Sequence, residues 1–309
     1  MSDSLYKLVF RVQWKSIILL FPYPWVDLDF RRHLQAAENL ASHLNREIND
    51  YVGVWRDGKQ KKGALGDSTF AVDVPLERGV TDFFSDTDFN ALVVTEDQGP
   101  IRQDTDYEAV YVIDPLDGSR NARRNLPFYG TSIAVYEPEA SSVLDAKAAV
   151  VRRFDEKEVF TWSSGCKPTL NGRALKPSTK QDFTDLVLAS GNHFASSYDI
   201  YLPLFKKLGE GGYDVWIKSL GASALELCYL ACGRLDAVCD IRSLYCRAPQ
   251  PQVYDVAAGL NILAATQAPF VYGSRRLDGR LDLDAGLPAC FVGACSQNIY
   301  DKIISTINE

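Results

Sequence analysis

Histidine is scarce in this chain of 309 residues, with three in all, and no CxxC pair occurs, so a zinc centre built on Cys and His is not expected. Seven cysteines is an odd number in a chain too long to depend on disulfides. They are read as buried, reduced thiols of a cytoplasmic protein, with Cys228 and Cys232 four apart on one helical face in the core. Positive charge is also short: 33 Lys and Arg stand against 40 Asp and Glu, for a net charge of −7. General nucleic-acid binding is not expected of such a chain. An anionic small substrate stays open, because a bound cation would invert the local field. No apolar run is long enough to cross a membrane. Near the N-terminus Ile17 to Phe21 is the unbroken core of one; it is too short for a signal peptide, and Pro22 and Pro24 follow it without a small-residue cleavage site. Residues 1–26 are therefore set apart as an extension of unknown role. There is no internal repeat, low-complexity tract or long linker.

What is present is a sizeable core, with 46% hydrophobic and 24% charged residues, as in a globular protein of one large or two ordinary domains. From Leu28 to Val52 apolar residues recur at three and four, which predicts an amphipathic helix. Phe70 to Leu76 alternates like a strand, although Pro75 and Phe83-Phe84 equally permit a helix beginning there. Ala91 to Thr95 is a short strand ending in Glu96-Asp97. Asp86-x-Asp88-x-Asn90 lacks the glycine that a calcium loop needs at its sixth position, where Ala91 stands. Thr131–Tyr136, Ala146–Arg152 and Glu158–Trp162 predict an antiparallel meander. From about Leu186 strands and helices alternate, as in a layered α/β unit. The expected division is 27–182, an α+β subdomain, and 183–309, an α/β subdomain, tightly packed with a site in the crevice between them.

The chain is organised around Val110-Tyr-Val-Ile-Asp114-Pro-Leu-Asp117-Gly-Ser-Arg-Asn121. A β-branched run stops at a carboxylate, Pro115 fixes a rigid turn, and a second carboxylate follows. Gly118-Ser119 offers unobstructed backbone N–H groups suited to phosphate. Two carboxylates beside an anion cradle imply a cation between them, and hard oxygen donors suit Mg²⁺.

Asp-Pro-Leu-Asp-Gly-Ser-x-Asn resembles the signature of the inositol monophosphatase family, which includes fructose-1,6-bisphosphatases and 3′(2′),5′-bisphosphate nucleotidases. Further segments carry the likeness. Glu96-Asp97 resembles the family's acidic pair. Asp67 and Asp73 around Thr69 resemble its two-aspartate segment. Tyr254-Asp255-Val-Ala-Ala-Gly259 is similar to its second signature, although Asp255 could also simply cap a helix. Ser219 to Ala224 and Gly233-Arg-Leu-Asp236-Ala237 resemble its small-residue helix and the turn after it. Ser119 stands where Thr is usual and Tyr254 where Trp is common; Arg242 to Val253 reads as an insertion near the substrate's non-phosphate end.

The resemblance implies a layered αβαβα sugar-phosphatase architecture, a homodimer, and hydrolysis of a small sugar or polyol phosphate with two or three Mg²⁺ ions per site. It assigns the metal to Glu96, Asp114, the Leu116 carbonyl, Asp117 and Asp255, with Asp67 at a weaker third ion. Ser119, with Glu96 or Asp97 accepting, would orient water; Gly118 and Ser119 would hold phosphate; Asp240, Gly221 and Ala222 would meet the substrate. Inositol-1-phosphate leads among substrates, then fructose-1,6-bisphosphate, then an adenosine bisphosphate. Pro115 occupies the position a DxDGT nucleophile would need, which disfavours a covalent aspartyl route. The non-enzyme alternative is a phosphate-sensing or scaffold protein that kept the fold without turnover.

Overall fold

The computed structural model describes residues 31–49, 51, 61–64, 68–102, 106–154, 157–192, 195–245 and 249–308. The expected N-terminal extension and Asp67 lie outside these residues. Helix α1 (Arg31–Asn49) buries Ala37, Leu40, Ala41, Leu44 and Ile48, the stripe that three-and-four spacing predicts. The ambiguous stretch after Phe70 resolves as helix α2 (Asp73–Ser85), with Pro75 in the first turn, where its missing N–H costs nothing.

Strands β1 (Ala91–Thr95), β2 (Gly99–Arg102), β3 (Ala109–Asp117), β4 (Gly130–Tyr136), β5 (Ala148–Arg153) and β6 (Glu158–Ser163) form most of an eight-stranded sheet. The hairpin of Thr169–Leu170 and Arg173–Ala174 extends its β6 edge. All nine residues of β3 are buried, which is why this strand reads as continuous apolar sequence rather than as alternation. It pairs in parallel with β1 and antiparallel with β4, and its register against β4 shifts between Asp114 and Asp117. Pro115 has no N–H for the ladder, so the strand bulges there and re-aims both carboxylates.

The second sheet has five strands: β7 (Leu186–Ser190), β8 (Val215–Lys218), β9 (Ala237–Asp240), β10 (Phe270–Gly273) and β11 (Cys290–Ala294). Their order is β8-β7-β9-β11-β10, and β8, β7 and β9 run parallel. The longer helices of this half are α3 (Tyr198–Glu210), α4 (Ser223–Ala231), α5 (Val253–Ala264) and α6 (Gln297–Asn308), and four-residue helices span Ser119–Ala122 and Arg242–Tyr245.

Helices α1 and α2 pack on one face of the first sheet, and α4 and α5 lie between the sheets. The pair α3 and α6 packs against the second sheet. That is the αβαβα stack. The cut at 182/183 separates the sheets but not the core: one apolar cluster joins Val110, Val112 and Ala134 to Leu227, Ala257, Ile262 and Phe291. Among the described residues no helix is long and apolar enough to cross a membrane.

Candidate metal centre and its cleft

A cleft of about 230 Å³ opens where the bulge of β3 meets the N-termini of α4 and α5; Glu96, Asp114, Leu116, Asp117, Gly118, Ser119, Gly221 and Asp255 are among its lining residues. At its floor Asp114, Asp117 and Asp255 each offer a carboxylate oxygen, all within 4.8 Å of one another. Asp114 and Asp117 come from the central motif, and Asp255, 138 residues after Asp117, comes from the segment that resembles the second signature.

Each aspartate is held by backbone. The Leu116 N–H donates to Asp114 Oδ1 at 2.9 Å. The Ser223 and Ala224 N–H groups at the start of α4 donate to Asp117 Oδ1 (3.1 Å) and Oδ2 (2.8 Å). A helix N-terminus is a favourable place for a carboxylate, and here it ties the first sheet to the second half of the chain. Asp255 sits three residues past the N-cap Gln252, whose N–H donates to Asp255 Oδ2 at 2.6 Å; the two residues form a capping box. Asp255 is therefore both a cap and a member of the acidic cluster.

Burial raises all three buried acids of this region. Asp114 is pushed well above the ordinary carboxylate range by desolvation, then by the charges of Asp255 and Asp117. Asp117 is pushed up to about 7 by burial, against the pull of its backbone donors. Glu226 on α4, buried and bonded by the Gly221 N–H at 3.0 Å, is raised to about 8 by desolvation and then by Asp240. Asp114 and Asp117, held at this cost within 4.8 Å of Asp255, fit a divalent cation, which would relieve the repulsion among the three.

A pH effect follows. Each of these acids holds its proton more tightly folded than unfolded, so protonation stabilises the fold. That stability is complete below the unfolded values and is lost as pH rises through the raised ones, about 7 for Asp117 and about 8 for Glu226. With chelator present, these acids are expected to make Tm fall across that window, and Asp117→Asn is expected to flatten the fall. Thermal melts of both proteins from pH 4 to 8 test it (roughly the interval between ordinary and raised carboxylates); identical pH profiles would overturn it.

Gly118 has φ 88°, and a Cβ there would meet the Phe128 carbonyl oxygen at 3.0 Å and the Ala222 methyl at 3.2 Å. Only glycine suits that position. Ser119 follows and faces the cleft. Asn121 Nδ2 donates to the carbonyls of Phe128 and Leu220, both at 2.8 Å, and so fastens the Ser219–Gly221 wall to the motif.

Several expected residues stand apart from the cleft. Asp97 does not line it: its carboxylate accepts the Thr69 hydroxyl, and its N–H donates to Glu77 Oε1 at 2.9 Å. Of the two acceptors named for Ser119, only Glu96 reaches the cleft. Ala222 packs behind Gly118 and does not line the cleft. Asp240 is 1% exposed, with both oxygens engaged: Arg242 Nε donates to Oδ1 at 2.9 Å and Nη2 to Oδ2 at 2.5 Å. Arg242 lines the cleft in its stead, and its Nη1 donates to the Pro249 carbonyl at 2.6 Å. The region read as an insertion thus forms one wall, through Arg242, Pro249, Gln250 and Pro251.

Sequence reading passed over three residues that build this site. Glu77 is buried and braces the Thr95–Gln98 turn, accepting Thr95 Oγ1 at 2.7 Å. Its signal was an acid four residues after Asp73, among the apolar residues Leu76 and Val80. Asp73 itself accepts the Phe70 N–H at 2.5 Å, and Phe70 lines the cleft. Glu226 and Arg242 gave no signal at the level of spacing.

Comparison with known proteins decides what this geometry belongs to. A family model described as the inositol monophosphatase family matches residues 33–307. The chain belongs to the inositol monophosphatase family. It is 27% identical over 285 residues to a fructose-1,6-bisphosphatase/inositol-1-monophosphatase of Methanothermobacter thermautotrophicus, covering 88% of this chain and 95% of that one. It is 31% identical over 221 residues to the Nus factor SuhB of Escherichia coli K12, covering 71% and 77%. A crystal structure of the extragenic suppressor protein suhB from Bartonella henselae superposes with a TM-score of 0.73 at 20% identity, covering 90% of this chain and 99% of that one. Family and fold together make this a metal-dependent phosphatase.

Proposed function

We propose that the chain hydrolyses a small sugar or polyol phosphate with Mg²⁺, through attack of water rather than a phosphoenzyme. The observation that carries this reading is the convergence of Asp114, Asp117 and Asp255 beside Gly118 and Ser119. Those three carboxylates, Glu96 and the Leu116 carbonyl would hold the metal. When bound, the metal lowers the pKa of water and stabilises the leaving alkoxide. The chain's own part is positional. The Gly118 and Ser119 N–H groups bind phosphate oxygens, and the Ser119 hydroxyl with Glu96 orients water. Reduced thiols at all six described cysteines fit the expected cytoplasmic setting.

For the substrate, inositol-1-phosphate leads on resemblance, and fructose-1,6-bisphosphate is second. A specific observation raises the second. Arg120 lines the cleft with its guanidinium 5.1 Å from the centre of the Phe70 ring, while the Arg242 guanidinium is spent on Asp240 and the Pro249 carbonyl. Guanidinium groups recognise phosphate, whereas a paired Asp240 is poorly placed to accept sugar hydroxyls.

The test is phosphate release from inositol-1-phosphate, fructose-1,6-bisphosphate and an adenosine bisphosphate, with Mg²⁺, with chelator, and with added Li⁺. Turnover is expected with Mg²⁺ and is expected to vanish on chelation; Li⁺ is expected to suppress it. If a second phosphate is bound by Arg120, Arg120→Ala should raise KM for a bisphosphate roughly 10- to 100-fold, the worth of one charge-assisted hydrogen bond, and leave the monophosphate nearly unchanged. No turnover on any of the three would favour the non-catalytic reading, in keeping with a relative named as a Nus factor.

A further inference from the structure

The wall that the inserted segment adds to the cleft is close to neutral. Asp240 and Arg242 compensate each other, and the Arg242 guanidinium also holds the Pro249 carbonyl. Pro249, Gln250 and Pro251 then line the cleft in succession. Of these three side chains only that of Gln250 can make hydrogen bonds. Its Oε1 is shielded from water and has no hydrogen-bond donor. An unpaired buried acceptor is costly, and native structures keep few of them without a reason.

The backbone is fastened on both sides of that side chain. Arg242 Nη1 donates to the Pro249 carbonyl at 2.6 Å, and the Ala289 N–H donates to the Pro251 carbonyl at 2.7 Å. Gln252 bridges to Pro288 and caps α5, which carries Asp255. Pro251 also biases the residue before it towards an extended backbone, and that residue is Gln250. The amide is therefore presented from a rigid strut that leads directly into the acidic cluster. Its position is set before any ligand arrives, which lowers the ordering cost of binding.

We infer that Gln250 is a specificity-determining residue, whose amide takes a hydroxyl of the substrate's non-phosphate part in place of the paired Asp240. The inference rests on the phosphatase reading of the cleft. An orphaned carbonyl oxygen needs a donor, which rules out a carboxylate or a fully ionised phosphate at this point. A hydroxyl both donates and accepts, so it answers the amide in either of its two orientations. The resemblance gives this duty to Asp240, but Asp240 is 1% exposed and held by Arg242. A neutral amide can do the same work without repelling a phosphorylated ligand.

Gln250→Met keeps the length of the side chain and removes both ends of the amide. With Mg²⁺, its KM is expected to rise for whichever of inositol-1-phosphate and fructose-1,6-bisphosphate the chain hydrolyses. The rise is roughly 3- to 10-fold, the worth of one neutral hydrogen bond. kcat is expected to stay within a small factor, as for a contact made equally in the ground and transition states. The Ki of inorganic phosphate, which lacks the polyol part, is expected to be unchanged. Tm without ligand is expected to hold or rise, because the orphaned acceptor is gone. A residue that merely braced the wall would lower Tm and weaken both ligands together. That result, or an unchanged KM, would overturn the inference. Lack of turnover on both substrates would instead strike the proposed reaction. Calorimetric Kd values with Mg²⁺, for the two substrates and for inorganic phosphate, then make the same comparison. Equal Kd values in the two proteins, or no binding of either substrate, would overturn the role of Gln250.

Discussion

Ser119→Ala is expected to lower kcat by about 10²- to 10⁴-fold while KM stays within a small factor of its starting value, the loss typical of a group taking part in proton transfer. The expectation starts from position. Ser119 follows a glycine whose backbone no other residue adopts comfortably, and it faces the cleft beside Glu96 and the three aspartates. Its N–H belongs to the backbone and survives the substitution, so phosphate binding through that group is retained. Only the hydroxyl is lost. A kcat loss without a KM change thus separates water orientation from phosphate binding, since uniform binding would move KM. Ser119→Thr keeps the hydroxyl and is expected to retain most activity. Single-turnover rates and KM for all three proteins decide the matter. Near-normal kcat in the alanine variant would leave Ser119 a backbone donor and nothing more.

The parts of this protein readable in its sequence are those where one residue type can do one thing. Asp114-Pro-Leu-Asp117-Gly118 announced a strand, a rigid turn and a tight approach, and the structure shows a bulge at Pro115 and a left-handed Gly118. Buried β3 showed as an unbroken apolar run because it has neighbours on both faces. What stayed hidden was pairwise. Asp240 and Arg242 are two residues apart, and nothing in their spacing says that one neutralises the other, because that depends on how the chain turns after β9. Asp97 looked equivalent to Glu96, yet a strand end sends adjacent side chains to opposite sides: Glu96 enters the cleft, and Asp97 turns to Thr69. Glu226 was invisible for a related reason. An acid in the first turn of a helix is ordinary, and only the packing of α4 against the cleft wall makes it a buried acid.

Asp255→Asn separates two roles that the structure shows coexisting in one side chain. As a cap, Asp255 accepts the Gln252 N–H through Oδ2. An asparagine carbonyl accepts equally well, so the start of α5 should survive, and loss of the cap would be a small term in any case. As a member of the acidic cluster, Asp255 supplies a full negative charge within 4.8 Å of Asp114 and Asp117. After burial, its charge is the largest cause of the raised Asp114 pKa. Removing it lets Asp114 ionise more readily, so apo Tm at neutral pH should hold or rise. Mg²⁺ affinity and kcat should fall together, by more than the roughly 10- to 100-fold seen when only a group supporting a metal ligand is lost. Two measurements read the two roles separately: Tm with and without Mg²⁺, and kcat against Mg²⁺ concentration. A variant that keeps its apo Tm but loses the Mg²⁺-induced rise establishes Asp255 as a ligand. Normal activity with an unchanged Mg²⁺ requirement would leave it a cap, and the cation would then have to be held by Asp114, Asp117 and Glu96 without it.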